Sequence, residues 1–417
     1  MLAKLRAMAV RAFSIAMRRS VEPVGTDHPA DATLDGAKAR ATSNVASAIL
    51  LVSFFWIIAA ASHSGFMGKW AFLDNYSVAG RTVSSHDNKP YVSPASLERM
   101  LDGTADSPFA YRRLGPILAN SFEFSIPNKA KGWLRTHVAA KLSPAKVFSR
   151  AGTADRPEFQ LRYMFLYYAS FSSLLISLFV LRQILLDLRL DNIAATVAPA
   201  IFLLALPYIQ TFGGYFYDNF ELLFLSLSLL LVLRGKLIAL LLLVPIATLN
   251  KESFLFFIPT LYPLLVSSKG KQKAFWTLGA SLFVSGFVNL VVKYFYSNGG
   301  SVAQLHFLEN LYFYLNPANY FLLEITYGIV APAALFFATA IVTAAILVRG
   351  WPTCPERIKK HMIMAAAINL PLFFIFCKGG ELRNLSLMFV SFVVLIGCTL
   401  QKNLATGATR HGRNHSL

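Results

Sequence analysis

Four polar clusters in an otherwise apolar chain carry the residue types that acid–base and phosphate chemistry need: Asp74-Asn75, Tyr217-Asp218-Asn219, Asn250-Lys251-Glu252 and Glu381-Leu382-Arg383-Asn384. A further segment, Pro108 to Pro116, sets Arg112 and Arg113 beside Tyr111, ahead of the apolar Ile117-Leu118-Ala119. A carboxylate such as Asp74, held at a membrane surface by Trp70, Phe72 and Tyr76, can act as general base toward an acceptor hydroxyl. Asp87, Asp102, Asp106 and Asp155 compete for that role. Arginine offers a planar fork that donates two hydrogen bonds at once, so Tyr111, Arg112 and Arg113 read as a phosphate or pyrophosphate clamp. Lys251 is another cation suited to phosphate. Asp218 and Glu221, close to Tyr215, Phe216 and Tyr217, suit a sugar-facing surface, and Gly379-Gly380 allows a tight turn or close backbone approach ahead of Glu381 and Arg383. Each cluster also has an ordinary explanation: helix caps for Asp74, Asp218 and Glu381, headgroup contacts for Arg112 and Arg113, a local pair for Lys251 and Glu252. All of these clusters fall on one side of the same membrane, where together they can build a site.

That side is deduced from the elements around them. The chain of 417 residues is 55% hydrophobic, with mean hydropathy +0.52, above what a soluble globular domain carries. Stretches of the length needed to cross ~30 Å of hydrocarbon recur at 44–62, 161–181, 192–210, 220–233, 237–249, 253–267, 274–293, 321–348, 362–377 and 384–400. The expected fold is an all-α polytopic membrane protein with about ten transmembrane helices. The 237–267 region also reads as a hairpin or as a helix broken at Pro245. Every second connection is basic: Arg182 and Arg189, Arg234 and Lys236, Lys269 to Lys273, then Arg349 and Arg357 to Lys360, with Lys402, Arg410 and Arg413 in the tail. Lysine and arginine mark the cytoplasmic side, which puts both termini there and the polar clusters outside. The first extracytoplasmic loop, 63–160, is large and basic, and long loops cross largely regardless of charge. Residues 1–43 read as a basic amphipathic segment on the inner membrane surface, 44–400 as the transmembrane domain, and 401–417 as a cytoplasmic tail. No cleavable signal peptide is evident, since the first apolar run is long enough to span.

Several function classes are disfavoured. Cys354, Cys377 and Cys398 are too scattered for a disulfide framework or metal site, and His411 and His415 have no carboxylate or cysteine near them, so a zinc centre is not expected. The chain carries no phosphate-binding Gly-x-x-x-x-Gly-Lys-Ser/Thr loop, and nothing implies a nucleic-acid partner. No internal repeat of the transporter kind is visible, and the clearest intramembrane carboxylate, Glu324, lies near the end of its span. The net charge of +18 agrees with anionic lipid or phosphate ligands, although much of it is the cytoplasmic bias.

The layout resembles the GT-C class of integral membrane glycosyltransferases. The resemblance covers about 44–400 and rests on a first span, a large outer loop opening with an acidic residue, and many spans with short connections. It implies a polyprenyl-phosphate-linked sugar as donor, an extracytoplasmic acceptor, and a place in a bacterial inner membrane among its lipids. By position it makes Asp74 the catalytic base; the clusters themselves offer Tyr111, Arg112, Arg113, Asp218, Lys251, Glu252, Glu381 and Arg383 as substrate-binding residues. The Asp74 segment has no Asp-Asp or Glu-Asp pair, which leaves open whether a divalent cation takes part. Two other classes stay open: a transporter or flippase of a lipid-linked or anionic substrate, and an assembly or scaffold subunit without chemistry.

Overall fold

The computed structural model describes residues 34–67, 77–78, 81–82, 96–139, 156–210, 214–296, 305–327, 329–332 and 337–414. The chain forms two units, Met1–Ile57 and Ile58–Leu417. The described part of the first is helical throughout and belongs to α1 (Leu34–Met67), whose last turns open the second unit. After α1 come a two-residue ladder, β1 (Ser77–Val78) and β2 (Arg81–Thr82), and three short helices, α2 (Leu97–Asp102), α3 (Leu114–Ser125) and α4 (Asn128–Leu134). Ser96 caps α2 by accepting the Arg99 N–H, and Gly103 ends it in the left-handed region that glycine adopts without strain.

The long helices follow. They are α5 (Pro157–Asp187), α6 (Asn192–Ile209), α7 (Phe216–Leu233), α8 (Leu237–Asn250), α9 (Phe254–Lys269) and α10 (Lys271–Phe295). Next come α11 (Phe307–Leu315), an antiparallel hairpin of β3 (Leu323–Thr326) and β4 (Ile329–Pro332), α12 (Phe337–Gly350) and α13 (Glu356–Phe376). The last element is α14 (Phe389–Asn414), entered through a 3-10 stretch at Leu382–Met388. Seven of these helices are long and apolar enough to cross a membrane, which makes the chain a helical integral membrane protein. α8, α9 and the Thr339–Gly350 part of α12 are shorter apolar helices.

Local sequence explains the boundaries. Pro157 opens α5 where a missing N–H costs nothing, and Asp191 caps α6 by accepting from Ile193 and Ala194. The region read as a hairpin or a helix broken at Pro245 is two helices parted at 251–253, with Pro245 inside α8. The stretch read as one span over 321–348 is different: Leu323–Thr326 and Ile329–Pro332 form β3 and β4, and among its other described residues the α-helix begins at Phe337. Glu324 therefore lies in a strand, opposite Ala331, and not in a membrane helix.

α5 packs along α7 and α6, α8 and α9 on α10, and α14 on α6 and α12. Ser170, Ser173 and Ser177 are buried on α5: Ser170 Oγ accepts from Asn219 of α7 at 2.8 Å, and the Ser173 and Ser177 hydroxyls donate to backbone carbonyls one turn back, so these three hydroxyls are satisfied within the helix packing. Glycine permits close packing of α12: a Cβ on Gly350 would lie 2.5 Å from the Leu395 carbonyl oxygen, a backbone atom that cannot swing aside. Gly350→Ala should accordingly cost about 1–3 kcal/mol through overpacking. Gly286→Ala, facing open space on α10, should leave stability unchanged or slightly raised. Thermal unfolding in detergent, read side by side on the two variants, checks this.

Candidate functional site

The start of α7 gathers the buried charges. Tyr215 precedes the helix, and its backbone N–H donates to Asp218 Oδ2 at 3.0 Å, so the carboxylate caps the helix as the sequence allowed. Capping is only part of its role. Arg383 Nη1 donates to the same oxygen at 3.0 Å, and Lys251 Nζ donates to Oδ1 at 3.2 Å. Lys251 also reaches Glu221 Oε2 at 2.7 Å, while Glu221 Oε1 accepts from the Ser253 and Ser386 hydroxyls at 2.9 and 3.0 Å. Asp218, Glu221, Lys251 and Arg383 are all buried, and every carboxylate oxygen among them is engaged. Asn250 donates to the Tyr217 carbonyl at 2.9 Å and so binds the end of α8 to the start of α7.

A looser rim surrounds this core. Arg383 Nη2 lies 3.4 Å from Glu381 Oε1, and Glu381 Oε2 accepts from Asn384 at 3.1 Å. Arg112 donates to the Tyr217 hydroxyl, and its Nη2 meets Glu252 Oε1 at 3.5 Å, the longest of the site's ion pairs. Aromatic rings hold the guanidinium planes: Tyr215 and Tyr217 stack at 4.9 Å and 9°, Arg112 lies 4.3 Å from the Tyr217 centroid, and Arg383 lies 4.7 Å from that of Tyr215. Rings thus fix the faces of both guanidinium groups while their edges donate hydrogen bonds. The Nε atoms of Arg112 and Arg383 and the Oε2 of Glu252 are buried without a hydrogen-bond partner in the protein.

Burial opposes the charge on Lys251, but Glu221 and then Asp218 outweigh it, so its ammonium is held above the ordinary lysine range. The same contest on Arg112, burial against Tyr217 and Glu252, leaves its guanidinium raised as well. Both groups are cations throughout the physiological range. Such a centre can bind and neutralise an anion, and Glu252 is the carboxylate least committed to other partners. Among the described residues, no group of three or more His, Cys, Asp or Glu side chains is placed to hold a metal ion.

The structure brings Arg112, Asp218, Lys251, Glu252, Glu381 and Arg383 together from segments far apart in the chain. Asp74 lies outside the described residues. Two of the other expected site residues stand apart from the cluster. Arg113 is buried, donates to the Met100 carbonyl at 2.7 Å and lies over Tyr296, so it braces α2 and is not half of a clamp. Tyr111 accepts from Ser107 at 2.9 Å, with Lys293 over its ring. The local Lys251–Glu252 pair is absent: Lys251 turns to α7 and Glu252 to Arg112, because adjacent residues project in different directions. Gly380 takes φ 83° to make the turn, whereas Gly379 leaves room for the Phe313 ring, which a Cβ there would meet at 2.4 Å. Glu221 is the member sequence reasoning underrated; its signal was the three-residue spacing from Asp218, which puts both acids on one helix face.

No protein-family profile, curated protein or solved structure matches this chain. The site must be judged on its own geometry. Asp218→Asn strips a buried charge from both Lys251 and Arg383 and should cost about 3–5 kcal/mol. Glu252→Gln, with a partly exposed side chain and one long contact, should cost less than about 1 kcal/mol. Comparing the two in chemical unfolding in detergent tests this division between a structural core and a functional rim.

Proposed function

We propose that the chain is a membrane glycosyltransferase that moves a sugar from a polyprenyl-phosphate carrier to an extracytoplasmic acceptor, as its resemblance to the GT-C class implies. The observation that carries the proposal is the convergence of Arg112, Lys251 and Arg383 on one buried centre at the ends of membrane helices. A lipid-borne phosphate reaches a protein at that depth. In this reading the seven long helices and the three shorter apolar ones each cross the bilayer, giving ten crossings with both termini cytoplasmic. The cluster and the loop over 63–160 then face outward from a bacterial inner membrane.

The reaction is a displacement at the anomeric carbon. The acceptor hydroxyl attacks, Asp74 takes its proton, and the bond from that carbon to the phosphate oxygen breaks, its electron pair leaving with the polyprenyl phosphate. Arg112 and Arg383, each with a buried spare Nε–H, stabilise the charge that gathers on the leaving group. Asp218, itself paired with Lys251, holds Arg383, while Tyr217 and Glu252 hold Arg112.

One observation favours transport instead. His361 is fully buried within α13, with Ser391 Oγ 3.0 Å from Nδ1 and Thr260 beyond Nε2, and an ionisable group inside membrane helices is a common element of proton-coupled carriers. The two readings separate in reconstituted vesicles. A transferase retains added polyprenyl-phosphate sugar in native mass spectrometry and loses turnover by about a hundredfold or more in Asp74→Asn, with lipid retention kept. Arg112→Ala should lose the lipid itself. Uptake that depends on a proton gradient, with no retained lipid in any form, would sink the transferase reading.

A further inference from the structure

The stretch between α10 and α12 does not simply link two spans. α11 is docked by polar groups onto the end of α13: Asn310 Nδ2 donates to the Phe374 and Cys377 carbonyls at 2.9 and 2.5 Å, and the His306 N–H donates to the Ile375 carbonyl at 2.8 Å. Those of Phe374 and Ile375 belong to the last helical turn, whose carbonyls have no partner within their own helix, and that of Cys377 lies just past it. On the same side, the Tyr314 hydroxyl accepts from the Gly380 N–H at 3.2 Å and Phe313 fills the space over Gly379. The depth of α11 is therefore fixed at the level where α13 ends.

The opposite side of α11 is a continuous apolar stripe. Phe307, Leu308, Leu311, Tyr312 and Leu315 follow helical spacing, and their exposure runs from 43% at Leu311 to 73% at Tyr312. α13 also turns apolar residues outward in its final turns, Phe374 at 39% and Phe376 at 47% exposure. α13 is one of the helices apolar enough to cross a membrane, so that outward face meets lipid, and α11 is seated at the level where that helix ends.

We propose that α11 is an interfacial helix whose stripe is covered by the acyl chains of the surrounding bilayer just below the headgroups. Glu309, 70% exposed and paired with His306 at 2.7 Å, marks its water-facing border. The helix couples that lipid surface to the charge cluster, because the turn it holds, Gly379-Gly380, leads directly into Glu381 and Arg383. The proposal concerns lipid contact alone and does not depend on the chemistry of the cluster.

The test uses the unsubstituted full chain in phosphatidylcholine–phosphatidylglycerol vesicles that contain a phosphatidylcholine with a diazirine near the top of one acyl chain. Photolysis and peptide mapping should place lipid adducts within 305–315 as well as on the spanning helices. Adducts confined to the spanning helices would overturn the proposal. A second measurement needs no cross-linking chemistry. Single spin labels at Leu311 and at Glu309, with Cys354, Cys377 and Cys398 changed to serine, should collide differently with oxygen and with a water-soluble nickel chelate. Leu311 should favour oxygen several-fold and Glu309 the chelate; equal chelate access at both would overturn it.

Discussion

The structure turns on one shared charge. Asp218 is buried, and its two oxygens serve the Tyr215 N–H, Arg383 and Lys251 together. Taking any one of these ions out of water is costly, and the cost is met only when partners are close and the remaining lone pairs are filled. Here they are filled from three separate parts of the chain: the start of α7, the connection between α8 and α9, and the approach to α14. Those parts are fixed relative to one another by electrostatics, whereas contacts between apolar helices in lipid give little directional preference.

Helix geometry decides why this arrangement forms where it does. Asp218 lies in the first turn of α7, where unpaired N–H groups favour a negative charge, and Lys251 lies just past the end of α8, where carbonyls favour a positive one. Both residues are placed well before either meets the other. Arg383 is the exception, a cation near the beginning of a helical stretch, and it is compensated by two carboxylates and an aromatic face. Its position is held by the cluster and not by its own helix.

How far this could be read from the sequence depends on the range of the interactions. Long helices were legible because apolar length is local, although the helix read from 161 begins at Pro157, in a polar turn that hydropathy does not count. The region 321–348 was misread for the same reason: hydropathy counts apolar residues but does not distinguish a helix from an apolar hairpin, and the positive φ at Tyr327 that turns this one carries no composition signal. In the site, the residue types were legible and their pairing was not. Lys251 and Glu252 are neighbours in sequence yet belong to different ion pairs, and the choice between Arg112 and Arg113 was made by Tyr217 and Met100, neither visible as a partner without the fold.

The two glycines before Glu381 connect the rest of the molecule to this centre. Gly380 supplies the left-handed turn that aims Arg383 at Asp218, and Gly379 lets Phe313 close over the turn from α11. A larger residue at 380 would strain the turn, and one at 379 would push α11 away, so the charge cluster and the apolar helix constrain the same few atoms from opposite sides. Arg383, whose helix does not favour its charge, is therefore held from both directions: by carboxylates on its polar side and by a turn packed beneath α11 on the other. A change in how α11 is seated must act first on the Glu381 and Arg383 rim, whose 3.4 Å pair is looser than those of the core, and only afterwards on the fully engaged core of Asp218, Glu221 and Lys251.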